Sequence, residues 1–170
     1  MKKTGIFYGS SSGTTEDLAQ RIATLLGVGS ADMYNVSDVP ASAVAPYEVI
    51  ILGTSTWGSG DLQDDWDSFL PKLKKVDLSG KTIALFGAGD SSSFGDTFCD
   101  GIGIIYKQLK ATGATFAGAT PVDGYTFYSS EAVVDGAFVG LPLDEANESH
   151  LTDSRLARWI AQLKAEGLCD

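Results

Sequence analysis

Between Glu48 and Thr54 the chain reads Val49-Ile50-Ile51-Leu52-Gly53, with no polar side chain at any position. Successive side chains of a strand point to opposite faces. A strand of this composition therefore cannot turn either face to water, and both must be covered. That is the condition of a central strand in a parallel sheet flanked by helices.

The rest of the chain supplies what such a strand needs. Lys3–Tyr8, Met33–Val36, Thr82–Gly87 and Thr115–Ala119 read as further strands. Between them apolar residues recur with helical spacing. Leu18, Ile22, Leu25 and Leu26 form one stripe, and Trp66, Phe69, Leu70 and Leu73 a second. Ile102, Ile105, Tyr106 and Leu109 form a third, and Leu156, Trp159, Ile160 and Leu163 a fourth. Each stripe can pack on a sheet, which makes Trp66 and Trp159 core residues. Pro71 should kink or end its helix. Strand–helix alternation with right-handed crossovers predicts an α/β fold: a doubly wound, five-stranded parallel sheet of order 2-1-3-4-5 in three layers. In such sheets ligands bind beyond the carboxyl ends of the strands, so the loops after Tyr8, Gly53 and Gly87 become the candidates.

One stretch breaks the rhythm. Thr120–Gly136 has neither period, and Ala137-Phe138-Val139-Gly140-Leu141 reads as strand again. The expectation is an insertion of about residues 120–136 interrupting the fifth strand of a single domain spanning 1–170.

Composition narrows the function classes. A net charge of −10 opposes nucleic acid and anionic membranes and favours basic-surfaced partners, or serves solubility alone. Two cysteines, Cys99 and Cys169, and one histidine, His150, offer neither a disulfide framework nor a metal site. The apolar run after Lys3 is short for a signal peptide, and no stretch suits a membrane span, so the expected location is the cytoplasm.

Gly9-Ser10-Ser11-Ser12-Gly13-Thr14-Thr15 lies between the first strand and the first helix. Unpaired N–H groups and partial positive charge at a helix start, with glycines and hydroxyls around them, make a phosphate cradle. The lysine of a Walker A loop is missing, and a dinucleotide fingerprint does not match. Neutral donors alone suit a monophosphate. The alternative is a Ser/Gly-rich turn with an N-cap.

Thr54-Ser55-Thr56-Trp57-Gly58-Ser59-Gly60 follows the third strand, and Gly87-Ala88-Gly89-Asp90 the fourth, with Phe94 beyond. Trp57 in a Gly/Ser/Thr loop can offer its face to a planar ligand, and Phe94 can close the other side. The alternative is one aromatic capping the core and one left exposed.

Taken together, these three loops resemble those of flavodoxins over nearly the whole chain. The insertion is similar to that of the long-chain branch, with Asp123-Gly124-Tyr125, Phe138-Val139-Gly140-Leu141 and Leu143-Asp144-Glu145 matching its loop and returning strand. Leu151-Thr152-Asp153 resembles the start of the family's last helix. The resemblance implies non-covalent FMN and low-potential one-electron transfer between redox partner proteins, without substrate turnover of its own. Ser10, Ser11, Ser12, Gly13, Thr14 and Thr15 match the phosphate-holding positions. Trp57 and Phe94 match the two ring-stacking aromatics, the second usually tyrosine. Ser55, Thr56, Ser59, Gly60, Gly87, Ala88, Gly89 and Asp90 belong to the loops around the ring. Thr97 matches a position near the ribityl chain, Cys99 one beside the pyrimidine edge. The carbonyl of Gly58 matches the acceptor for a proton at flavin N5. Acidic residues including Asp61, Asp64, Asp65, Asp67, Asp90, Asp96, Asp100, Asp144 and Glu145 would lower the potential and steer basic reductases and acceptors to a monomeric carrier. The alternative on the same fold is an FMN-dependent NAD(P)H–quinone reductase. A phosphoacceptor domain would need acidic residues where Tyr8-Gly9-Ser10 and Gly53-Thr54-Ser55 stand.

Overall fold

The computed structural model describes residues 2–57 and 60–168. Strands β1 (Thr4–Tyr8), β2 (Met33–Asn35), β3 (Val49–Trp57) and β5 (Thr82–Ala88) run parallel, and β4 (Asp61–Leu62) folds back antiparallel on the end of β3. β3 lies at the centre, pairing Val49–Gly53 with all of β1 and Val49–Ser55 with β5.

The fifth position is shared. β6 (Thr115–Ala117) pairs with Thr82–Ala84 at the start of β5, and β10 (Leu141–Leu143) pairs with Phe86–Ala88 at its end. The expected order 2-1-3-4-5 holds, with β6 and β10 as the two halves of the last strand.

Side-chain alternation explains the unbroken apolar runs. Phe7, Ile50, Leu52, Ile83 and Leu85 face one core, under α2 (Asp64–Leu73) and α3 (Asp100–Leu109). Ile6, Val49, Ile51, Ala84 and Phe86 face the other, under α1 (Thr14–Leu26) and α4 (Glu145–Ala165). Trp66 and Trp159 are fully buried, and each indole N–H donates to a backbone carbonyl, of Gly53 at 2.9 Å and of Gly118 at 2.8 Å. Of the expected stripe residues, Leu25 is half exposed instead of buried. Pro71 lies within α2, which ends two residues later.

Three boundaries differ from those the sequence predicts. First, the stretch after Ala119 is not structureless. β7 (Thr120–Pro121), β9 (Ala137–Phe138) and β8 (Val133–Val134) form a separate antiparallel sheet in that order. Ala137 and Phe138 belong to this sheet and not to the returning strand, which starts at Leu141. Their apolar character reflects a local aromatic core: Phe138 is fully buried, with ring centroids at 5.0 Å from Tyr125, 5.1 Å from Phe127 and 6.2 Å from Phe98. Second, β3 continues through Thr54–Trp57, whose polar side chains resemble a loop, because Thr54 and Ser55 pair with β5 and the last two residues with β4. Third, α4 opens at Glu145, not Leu151. Asp144 caps it by accepting from Asn147 N at 3.1 Å, and the backbone leaves helical geometry at Glu148 (φ −131°, ψ 36°) before the longer segment.

Candidate functional site

The carboxyl ends of β1, β3 and β5 converge on one cavity of about 470 Å³, a size suited to a small-molecule cofactor. Trp57 and Phe94 line it, each 43% exposed. Ser12, Thr14, Ser55, Thr56, Ala88, Gly89 and Asp90 complete the part that the sequence singles out.

The first-strand loop meets α1 at Gly13, whose φ of 93° places it in the left-handed region that glycine tolerates. Gly13 is the N-cap and, among the described residues, no side-chain hydrogen bond caps the helix. The first-turn N–H groups, which a helix cannot pair internally, receive no side-chain cap among the described residues. Ser10 Oγ accepts from Gly13 N at 3.0 Å and shapes the turn; Ser11 Oγ accepts from Gln63 Nε2 at 3.0 Å. Ser12 and Thr14 hydroxyls lie 3.5 Å apart. Thr15 is buried, and among the described residues its hydroxyl has no partner. An unpaired buried hydroxyl costs about 1–3 kcal/mol. Its position in the first turn of an uncapped helix fits an anion as the missing partner.

Trp57 ends β3 opposite Asp61 of β4, and its indole N–H donates to Ser55 Oγ at 2.8 Å. Thr56 Oγ1 accepts from Gly101 N at 2.9 Å, tying β3 to the start of α3. Gly58, to which the proton acceptor was assigned, and Ser59 lie outside the described residues, as does Cys169.

Several expected contacts sit away from this cavity. Gly60 (φ 100°) lies against Thr97 and Asp100 and lines a different groove, between α2 and α3. Gly87 is buried, with the Cys99 thiol 3.9 Å from its carbonyl oxygen. Cys99 itself is 1% exposed, and burial pushes its thiol far above the usual range, so it stays protonated. Its backbone is in the left-handed region (φ 53°) as the N-cap of α3. Thr97 N donates to the Phe94 carbonyl at 3.2 Å and helps close the Phe94 turn.

The acidic residues are not equivalent. Asp144 is fully buried, accepts from Ser91 and Asn147, and so holds the Asp90 loop to α4. Glu145 reaches the cavity but also approaches Arg21 at 3.7 Å. Asp90 keeps its charge firmly: the Ser93 N–H, the Asn147 amide and the Ser92 N–H hold its carboxyl below the usual range. Burial raises the Asp100 carboxyl, against the opposing N–H of Glu131.

Sequence reasoning missed three contributors. Ala146 lines the cavity because α4 begins earlier than expected. Gln63, 1% exposed, braces Ser11 from the start of α2; a glutamine directly before Asp64-Asp65 was the available signal. The insertion also holds the Phe94 loop. Tyr128 N and Ser129 N donate to the Gly95 carbonyl at 2.8 and 3.0 Å, and Ser129 and Ser130 hydroxyls donate to the Asp96 and Phe98 carbonyls.

A family model described as Flavodoxin matches residues 6–159. The chain belongs to the flavodoxin family. It is 50% identical to Flavodoxin 1 of Azotobacter vinelandii over 172 residues, covering 99% of each chain. It is 41% identical to a flavodoxin of a Nostoc species, covering 97% of each. The crystal structure of Fusobacterium nucleatum flavodoxin bound to flavin mononucleotide superposes with a TM-score of 0.89 at 34% identity, over 98% of this chain and 99% of that one. Flavodoxins are electron-transfer proteins, and this chain is one of them.

Proposed function

We propose that residues 1–170 form one FMN-binding domain, and that the cavity holds the flavin between Trp57 and Phe94 with its phosphate on Ser10–Thr15. The observation that carries this assignment is the pairing of the unpartnered Thr15 hydroxyl at an uncapped helix start with two half-exposed aromatics on one neighbouring cavity. FMN, when bound, supplies one-electron redox chemistry, and the chain needs no general acid or base of its own. The residues have separate tasks. First-turn N–H groups and the Thr14 and Thr15 hydroxyls take the phosphate without a counter-charge. Trp57 and Phe94 exclude water from the ring faces, which strengthens every charge interaction there. Asp90, held ionised by its three donors, disfavours added negative charge nearby and so lowers the potential.

The chain passes electrons to redox partner proteins. Its partners have basic surfaces, attracted by the net charge of −10, in small transient complexes that salt weakens. Among the described residues no helix is long and apolar enough to cross a membrane. The carrier is monomeric and works in the cytoplasm.

The deciding experiment titrates flavin-free protein with FMN and with riboflavin, following quenching of flavin fluorescence. FMN should bind far more tightly than riboflavin. Equal affinities would remove the phosphate role from Ser10–Thr15, and no quenching by either would remove the ring from Trp57 and Phe94.

A further inference from the structure

We propose that a second cavity, between the insertion and α4, binds a small oxyanion, a carboxylate or a phosphate, on Arg155, Arg158 and Thr120. The cavity measures about 450 Å³ and shares no lining residue with the aromatic one. Its wall combines Thr120 and Tyr125 from the insertion with Ser154, Arg155 and Arg158 from α4.

Arg155 is fixed before any ligand arrives. Its guanidinium lies 4.0 Å from the centroid of the Tyr125 ring, and Nη2 donates to the Gly124 carbonyl at 2.9 Å and to Glu148 Oε1 at 3.1 Å. Its other terminal nitrogen, Nη1, is buried and among the described residues has no partner. A guanidinium cannot shed its proton to relieve that condition. Thr120, 3% exposed, lines the same cavity with a hydroxyl that likewise has no partner. Two residues that line one cavity each carry a buried donor without a partner among the described residues, one of them charged, and such donors favour an acceptor that is itself charged.

Arg158 adds a second guanidinium at the exposed side, where Nη1 donates to Gln162 Oε1 at 3.1 Å and other donors are left over. Glu148 already offsets Arg155, and the carboxylate of Asp123 lines the rim. Ser154 donates its hydroxyl to the Leu151 carbonyl at 2.9 Å and adds no donor. The balance favours a compact anion of low charge and opposes a polyanion. Bound there, it would join the insertion to α4, because Thr120 belongs to β7 and Arg155 to α4.

The test follows the Arg155 side-chain Nε–H and Thr120 amide resonances of FMN-loaded protein. Sodium phosphate and sodium acetate are titrated separately at pH 7, with chloride holding ionic strength constant. FMN keeps the Ser10–Thr15 loop filled, so that shifts there and shifts at Arg155 are read apart; if FMN does not bind, the same two resonances are read on the flavin-free chain. Saturable shifts with phosphate alone identify a phosphate site, with acetate alone a carboxylate site, and with both a general oxyanion site. Arg158→Gln and Thr120→Val, which leave the Arg155–Tyr125 stack intact, should each weaken binding about tenfold, as expected for loss of one hydrogen bond to a charged group. Shifts that do not saturate above the chloride background, or parent-like affinity in both variants, would overturn the proposal.

Discussion

The indole N–H of Trp57 donates to the hydroxyl of Ser55, two residues back on the same strand, at 2.8 Å. The half-exposed ring is thereby oriented by a side-chain hydroxyl of its own strand. Trp57→Ala should weaken FMN binding by about 1–3 kcal/mol, by analogy with base stacking on aromatic side chains, and much of the fluorescence quenching should go. Ser55→Ala should keep the ring but free its orientation, giving a smaller loss of affinity. Unchanged quenching in Trp57→Ala would take that residue out of the site.

Thr15 separates binding from stability. Replacing it by valine removes a buried hydroxyl that, among the described residues, has no partner. The flavin-free protein should be as stable as the parent or slightly more so, because no hydrogen bond is lost and an unpaired polar group disappears. FMN affinity should fall about tenfold, the value of one charge-assisted hydrogen bond, whereas riboflavin affinity should not change. Calorimetric unfolding and parallel titrations check both halves.

Two carboxylates near the site act oppositely on acid stability. The donors around Asp90 lower its folded-state pKa. Its contribution is therefore present above the unfolded value, about 3.9, and disappears as pH falls through the lower folded value. Burial raises the folded pKa of Asp100. Its contribution is complete below the unfolded value and is lost as pH rises through the folded one. Asp90→Asn should accordingly lower the melting temperature at pH 7 and narrow its gap to the parent in acid. Asp100→Asn should hold or raise the melting temperature at pH 7, because the amide oxygen can still accept from Glu131 N, which now reaches Oδ1 at 2.8 Å. The reverse pattern would refute these assignments.

The hydrogen bonds from Tyr128, Ser129 and Ser130 to the backbone of residues 95–98 make the insertion part of the Phe94 wall. Phe138→Ala, at the centre of the insertion's aromatic cluster, should cost about 3–5 kcal/mol locally. Amide exchange of the insertion should accelerate, and the FMN dissociation rate should rise with it. Fast exchange with unchanged flavin release would show that the two parts are uncoupled.

The sheet and its helices were legible because burial on both faces leaves a continuous apolar signature, as in Val49–Leu52, and because each helix shows one stripe. What escaped was determined by pairing at a distance. Thr54–Trp57 is strand because β5 continues beside Thr54 and Ser55 and β4 returns beside Thr56 and Trp57. Ala137 and Phe138 are apolar for the insertion's core, and no local pattern distinguishes that core from the main one. In the site, Ser12, Trp57 and Phe94 could be named from loop composition. Gly60 lines the groove between α2 and α3 instead, and Ala146 escaped because an alanine carries no chemical signature.

Dividing the last strand has a further effect, on how the molecule meets copies of itself. An intact outer strand would present a row of free amide and carbonyl groups to any extended chain in solution. Here that border consists of two three-residue pieces, and the second carries Pro142, which lacks an N–H to donate. The opposite border, Met33–Asn35, is equally brief. With neither flank able to template a long ladder, this parallel sheet is guarded against edge-to-edge aggregation by its own interruptions.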